Sequence, residues 1–345
     1  MLIIPLQLTL VALLRILSTT PAAVCSAPIS GRPVPADFVG DRVFVRWAAP
    51  GYQPLRFYTD TGGGLLSMFP EAVQRLSLPV DTVNWTEGAD HGTTMRVRVP
   101  RALTEALVPP VPTALSLGFR LKPTDSTTVM LFDEYDASPP EDEPGYGWDG
   151  RLGSSWFADR VWTIDYPNSR MYFDGTKSVA QTDPSCWVPL GFKTDSAGHR
   201  TNSFPRITAR IDGEEIQFLL DTGARTELTD SAWRTVGSNE PRHRATSFIT
   251  TQRFEQWHKK HPEWLIVPNA EKPGGAAMMR VPTIEVGGQK IGPVWFTERP
   301  DRSFRDFMSQ YMDQPIEGAL GGSAWRYVTL VLDYPGAKAA LLTSP

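Results

Sequence analysis

Apolar and polar positions in this chain change rhythm over short distances, and the rhythm is that of strands. ITARI (207–211) and IQFLL (216–220) flank Asp212-Gly213, and an Asp-Gly pair between two strand-like runs predicts a tight hairpin. VFVRW (43–47) and LRFYT (55–59) flank a turn in the same way, and WTIDYPNSRMYF (162–173) and TLVLDYPGAKAALL (329–342) each predict a further hairpin. The helical segments are short: FPEAVQRL (69–76), with Pro70 near its start, and DSAWRTV (230–236). One run breaks the apolar pattern. In FLLDTGARTEL (218–228) three apolar residues lead directly into Asp221, and a buried strand does not ordinarily end on a carboxylate.

The chain repeats itself. DGRLGSSWFADRVWTIDYP (149–167) aligns without a gap on EGALGGSAWRYVTLVLDYP (317–335), so that Gly153 and Gly321, like Asp165 and Asp333, stand 168 positions apart. Upstream, LRFYTDTGGGLLS (55–67) matches IQFLLDTGARTELT (216–229): a strand, D-T-G, then leucine and a hydroxyl residue suited to cap a helix. The two D-T-G triplets are 161 positions apart, so only the segment between the two markers has changed in length. These matches predict two duplicated lobes, at 38–173 and 186–345, joined by a polar, turn-rich stretch at 174–185.

Composition narrows the picture. A chain of 345 residues with 41% hydrophobic content supports a packed core, and 31 prolines with 28 glycines favour short strands and turns over long helices. The net charge of -4, with no basic run, gives no reason to expect a nucleic-acid partner. Residues 1–27, MLIIPLQLTLVALLRILSTTPAAVCSA, resemble a secretory signal peptide, although no basic segment precedes the apolar run and Arg15 interrupts it. The expectation is a secreted, periplasmic or cell-envelope location. A lipoprotein reading through Cys25 is weaker, because Val24 stands where a small residue is wanted. With such a leader removed, Cys186 would be alone and no intramolecular disulfide could form.

Strand, D-T-G, helix and a later hydrophobic-Gly element is a pattern that resembles the aspartic proteases, and the GALGGSAW…VLDYP end resembles bacterial retropepsin-like proteins. The resemblance covers most of residues 40–343 and implies an all-β, bilobal acid-protease fold: two retropepsin-like β-barrel lobes with short helices, fused in one chain. It implies an endopeptidase that works as a monomer on a polypeptide substrate, without metal or organic cofactor. Asp60 and Asp221 would be the catalytic pair. Two facing carboxylates cannot both ionise and so share one proton; the ionised member activates a water and the protonated one polarises the scissile carbonyl. Thr61 and Thr222 would cross between lobes beneath the acids. Gly62 and Gly223 would let backbone approach the carboxylates, and Gly153 and Gly321 would let a strand pass under each D-T-G loop.

The second lobe, with DTGA and ALG, matches closely, whereas the first departs twice: Gly63 replaces the usual alanine, serine or threonine, and Arg151 stands where an apolar residue is expected. The alternative is therefore a catalytically inactive protease-fold protein that binds a peptide or protein partner. A second alternative pairs two copies of the second lobe between chains. Gly63 and Ala224 both lack a hydroxyl that could donate to an acid's outer oxygen, which predicts an activity optimum milder than in relatives with serine or threonine there. Candidate flap hairpins over the cleft are 85–99 and 264–281, the second closing as Ala276, Ala277 and Met278 pack, with ordinary sheet hairpins the equal alternative for both. The remaining motifs read as surface. FDEYDASPPEDEP (132–144) lacks a calcium-loop spacing, His258 and His261 lack the glutamate of a zinc-protease helix, Gly62-Gly63-Gly64 lacks phosphate-loop partners, and Asn84-Trp85-Thr86 is a bare sequon.

Overall fold

A computed structural model describes residues 25, 31–47, 54–64, 66–75, 77, 80–87, 93–100, 130–131, 147–175, 177–178, 186–237 and 241–342. The expected hairpins form. Arg206–Ile211 pairs antiparallel with Glu214–Leu220, closing at Ile211 opposite Glu214. Asp212 and Gly213 between them both take positive φ (53° and 83°), the backbone that a two-residue turn needs to match strand twist. Arg42–Trp47 pairs with Leu55–Asp60, Val161–Asp165 with Arg170–Gly175, and Thr329–Asp333 with Lys338–Leu342. The acid-rich stretch 132–144 and most of 174–185 lie outside the described residues.

The architecture is all-β and bilobal. A six-stranded sheet holds Ala36–Val39, Arg42–Trp47, Leu55–Asp60, Gly150–Gly153, Leu66–Met68 and Met130–Leu131 in that order. A nine-stranded sheet is built from Arg206–Ile211, Glu214–Leu220, Ser247–Thr250, Ile266–Val267, Met278–Val281, Ile284–Val286, Gln289–Ile291, Val294–Arg299 and Gly318–Leu320. The third large sheet takes three strands from each half, ordered Arg32–Val34, Arg170–Gly175, Val161–Asp165, Thr329–Asp333, Lys338–Leu342, Trp187–Pro189. The duplication is visible at its centre. Val161 faces Asp333, Thr163 faces Val331, and Asp165 faces Thr329. Thr163 thus lies opposite its own repeat-mate, and the flanking pairs exchange roles, as about a two-fold axis. Thr329 Oγ1 donates to Asp165 Oδ1 across this seam at 2.9 Å. A continuous apolar core runs through both halves, with Trp156 stacked on Trp162 at 4.1 Å between centroids and Trp325 fully enclosed.

Three expectations are corrected. Ser67, the expected cap of the first helix, sits inside the strand Leu66–Met68, paired with Arg151, and the helix is Pro70–Arg75. Its repeat counterpart Thr229 does cap Asp230–Val236, accepting from the Ala232 N–H at 3.3 Å. The segment 264–281 is no flap: Met278–Val281 is an inner strand of the nine-stranded sheet, and Met278, Met279 and Val281 are buried there. By contrast, the hairpin Val80–Glu87 with Thr93–Pro100, which spans the first flap candidate, forms a two-stranded sheet of its own.

The third correction concerns the cysteines. Cys25 and Cys186 are joined by a disulfide, with Cα atoms 5.6 Å apart. Both sulfurs lie in an apolar cluster with Val161, Val331, Ala340 and Leu342 at the edge of the shared sheet. A leader cut after residue 27 would discard half of this bond, and a sulfur so engaged cannot carry a lipid thioether. Spacing along the chain gave no hint of it, because the sheet that brings the two ends together is a tertiary feature.

Candidate active site

The two D-T-G segments meet where the lobes join. In the first, Leu55–Asp60 runs parallel to Gly150–Gly153, with Tyr58 beside Arg151 and Asp60 beside Gly153. In the second, Glu214–Leu220 runs parallel to Gly318–Leu320, with Leu219 beside Ala319, and the Asp221 N–H donates to the Leu320 carbonyl at 2.9 Å. Each aspartate therefore leaves its strand at the same structural point, at the sheet end where backbone pairing stops.

Beneath the acids the threonines exchange hydrogen bonds across the lobe boundary. The Thr61 N–H donates to Thr222 Oγ1 at 3.1 Å and the Thr222 N–H donates to Thr61 Oγ1 at 2.9 Å. Thr61 Oγ1 also donates to the Leu220 carbonyl at 2.7 Å. Both side chains are wholly buried. A hydroxyl that accepts and donates at once locks two loops with few atoms, and valine could not replace it.

The glycines are required by the partner acid. An ideal Cβ on Gly223 would lie 2.3 Å from Asp60 Oδ1, and one on Gly62 would lie 2.6 Å from Asp221 Oδ1. Each loop thus presses its bare backbone against the opposite carboxylate. The Gly223 N–H donates to Asp221 Oδ1 at 2.8 Å. Gly321 serves the second loop from below, where a Cβ would meet the Thr246 carbonyl oxygen at 2.0 Å and Ala224 Cβ at 2.7 Å. Gly153, its counterpart, is the residue paired with Asp60, and the next N–H, of Ser154, donates to the Gly63 carbonyl at 2.6 Å.

The glycine two residues after each acid packs on the other acid's carboxyl group, which brings the carboxyl groups of Asp60 and Asp221 together. Burial, and then the charge of Asp60, hold the Asp221 carboxyl well above the usual carboxylate range. Asp60 is 7% exposed, while Asp221 keeps a more open face. Such a pair, one proton between two acids, can take a proton at one oxygen while giving one from the other. Tyr58, Phe44, Trp148 and Phe69 form one aromatic cluster in the first half, and the Arg225 guanidinium lies 5.3 Å from the Trp148 ring centroid, bridging the halves. Burial keeps the Tyr58 and Tyr166 phenols protonated far beyond their ordinary range.

All the sequence-predicted site residues converge here: Asp60, Thr61, Gly62, Gly153, Thr222, Gly223, Ala224, Gly321 and Asp221. One functional contact was not foreseen. Arg151 Nη1 lies 3.2 Å from Asp60 Oδ2, so although Gly63 brings no hydroxyl to Asp60, a guanidinium stands at its carboxylate. The signal was present, since Arg151 stands out within the repeat, but only the parallel register with Tyr58 and Asp60 places its side chain on the acid's face of the sheet. His258 and His261 lie elsewhere: His258 is exposed, and His261 pairs with Asp212 at 2.9 Å and stacks on Trp264. Among the described residues, no cluster of His, Cys, Asp and Glu has the makings of a metal site.

No family model matches the sequence, and no curated protein matches it. Among solved structures, the chain is similar to the aspartic proteinase from Irpex lacteus, with 11% identity and a TM-score of 0.43, over 91% of this chain and 98% of that one. At that distance, the site is judged by its own geometry.

Proposed function

We propose that the protein is an aspartic-type endopeptidase, a single-chain tandem of two retropepsin-like lobes in which Asp60 and Asp221 act on one water. The observation that carries this reading is the meeting of the two repeat-related acids over a reciprocal threonine exchange, with each loop's glycine fitted to the other loop's carboxylate. A scaffold that merely bound a partner would need none of these constraints. In the reaction, the ionised acid takes a proton from water as its oxygen attacks the carbonyl carbon, and the protonated acid donates to the carbonyl oxygen. Collapse of the tetrahedral diol breaks the C–N bond as the amine nitrogen takes the proton that the first acid gained from water and a diol hydroxyl returns its proton to the second acid, which restores the pair. An extended polypeptide would add as a strand across the cleft, with alternate side chains in pockets, and the hairpin 80–87/93–100 is the candidate flap. Both acids come from one chain, which supports a monomer over pairing of two second lobes. The Cys25–Cys186 bond supports an oxidising location outside the cytosol, with any leader ending before Cys25.

Cleavage of a peptide library by the purified protein across pH, with Asp60→Asn and Asp221→Asn as controls, tests the reading. Cleavage lost in both variants supports it. Peptide binding without turnover in the parent favours the inactive, partner-binding alternative, which the ion pair on Asp60 makes worth the test.

A further inference from the structure

The two departures of the first lobe from its repeat-mate meet at a single atom. Asp60 Oδ2 is the oxygen that Arg151 contacts at 3.2 Å. It is also the oxygen that an ideal Cβ on residue 63 would strike at 2.3 Å. In the second lobe, the positions equivalent to Gly63 and Arg151 carry Ala224 and Ala319, both buried, so no cation reaches Asp221 from there. The carboxylate of Asp60 is turned into space that only glycine leaves open, and the guanidinium holds it there. Glycine and arginine form one device, and the duplicated dyad is chemically asymmetric because of it.

We propose that Arg151 is a positioning residue that keeps the dyad's single negative charge on Asp60 and leaves the shared proton on Asp221, so that the two acids have fixed roles. This rests on the dyad reading above. Asp60 is then the base that takes the proton from water, and Asp221 the acid that gives one to the carbonyl oxygen. In a symmetric pair either acid could serve either role. The raised proton affinity of Asp221 agrees with this assignment: burial and Asp60 raise it, and Arg151 opposes them.

Other ionisable groups also surround the pair. They are the Tyr58 and Tyr166 phenols, held protonated by burial, and Arg42 and Arg225, whose charges are felt through Tyr58. Asp41, whose charge is felt at Tyr166, is ion-paired with Arg326 at 3.3 Å. They remain in place when Arg151 is changed, so a difference between parent and variant reports on Arg151.

The test is carbon-13 carboxyl NMR titration of Asp221, assigned by its loss in Asp221→Asn, in the parent and in Arg151→Leu, Arg151→Lys and Gly63→Ala, with pH–rate profiles measured alongside. Removing a cation that favours the ionised pair moves proton loss from Asp221, and both limbs of the rate profile, to higher pH by about one unit or more. Arg151→Lys recovers part of the shift. Gly63→Ala, which pushes Oδ2 away from the guanidinium, shifts the titration in the same direction and adds nothing in the Arg151→Leu background. A purely structural salt bridge predicts lower stability with an unmoved titration. Should Arg151→Leu not fold, Gly63→Ala and Arg151→Lys carry the same reading. An Asp221 titration that stays within about 0.3 unit of the parent in the folded variants overturns the inference. NMR does not depend on turnover: a shifted titration in a protein that cleaves no peptide would sink the proposed function and leave the asymmetry standing.

Discussion

Replacing Thr61 by valine removes a hydroxyl while keeping the shape, and it tests the lobe junction directly. Thr61 Oγ1 accepts from the Thr222 N–H at 2.9 Å and donates to the Leu220 carbonyl at 2.7 Å, in a site that is 0% exposed. Two hydrogen bonds are worth about 1 kcal/mol each, and a buried N–H left without a partner costs about 1–3 kcal/mol. These overlap, so Thr61→Val should lose about 2–4 kcal/mol. Thr61→Ser keeps the hydroxyl and gives up only a methyl, a loss of about 1 kcal/mol. Urea unfolding followed by tryptophan fluorescence reads both, and peptide cleavage should fall in the valine variant more than in serine. A valine variant within about 0.5 kcal/mol of the parent, or a serine variant no better than valine, would refute the claim that this exchange braces the acids.

Gly321→Ala places a methyl group 2.0 Å from the Thr246 carbonyl oxygen, a backbone atom, and should cost about 1–3 kcal/mol or more in a thermal melt. Replacing both Cys25 and Cys186 by serine frees a loop spanning 161 positions and should cost about 5 kcal/mol on the chain-entropy model, seen as a lower midpoint that reductant no longer changes. The raised carboxyl of Asp221 binds a proton more tightly folded than unfolded, so its contribution is full below the ordinary value of 3.8 and is lost as pH rises through the folded value. Asp221→Asn should therefore show a flatter decline of stability above pH 3.8 and be the more stable protein at neutral pH; a parallel pH dependence in the two proteins would contradict this.

Much of the site is legible in the sequence because its chemistry is local and appears twice. The D-T-G triplet recurs 161 positions on, the leucine-glycine and the DYP turn recur 168 positions on, and the hairpin at Asp212-Gly213 is written in two residues whose positive φ the turn demands. The pairing of Thr61 with Thr222 was implied by a family resemblance, yet its reason is elementary: a buried backbone donor must find an acceptor. Where local pattern misled, tertiary context had outvoted it. Ser67 has a capping residue's chemistry but lies in a strand whose backbone pairs with Gly150–Leu152. The segment 264–281 contains glycines like a flap, yet Met278 and Met279 gain more by burial in the nine-stranded sheet than over a cleft.

By itself, then, the amino-acid order determined the duplication, the strand-rich character of each half and the residue types at the two acids, since these depend on periodicity and on neighbours a few positions away. Only the folded chain decided that Cys25 meets Cys186, that Arg151 rests on Asp60, and that Gly63 makes room for it. The first two are contacts between segments scores of residues apart. Their existence depends on strand register and on which face each side chain takes, and a register shift of one residue would turn Arg151 away from the acid.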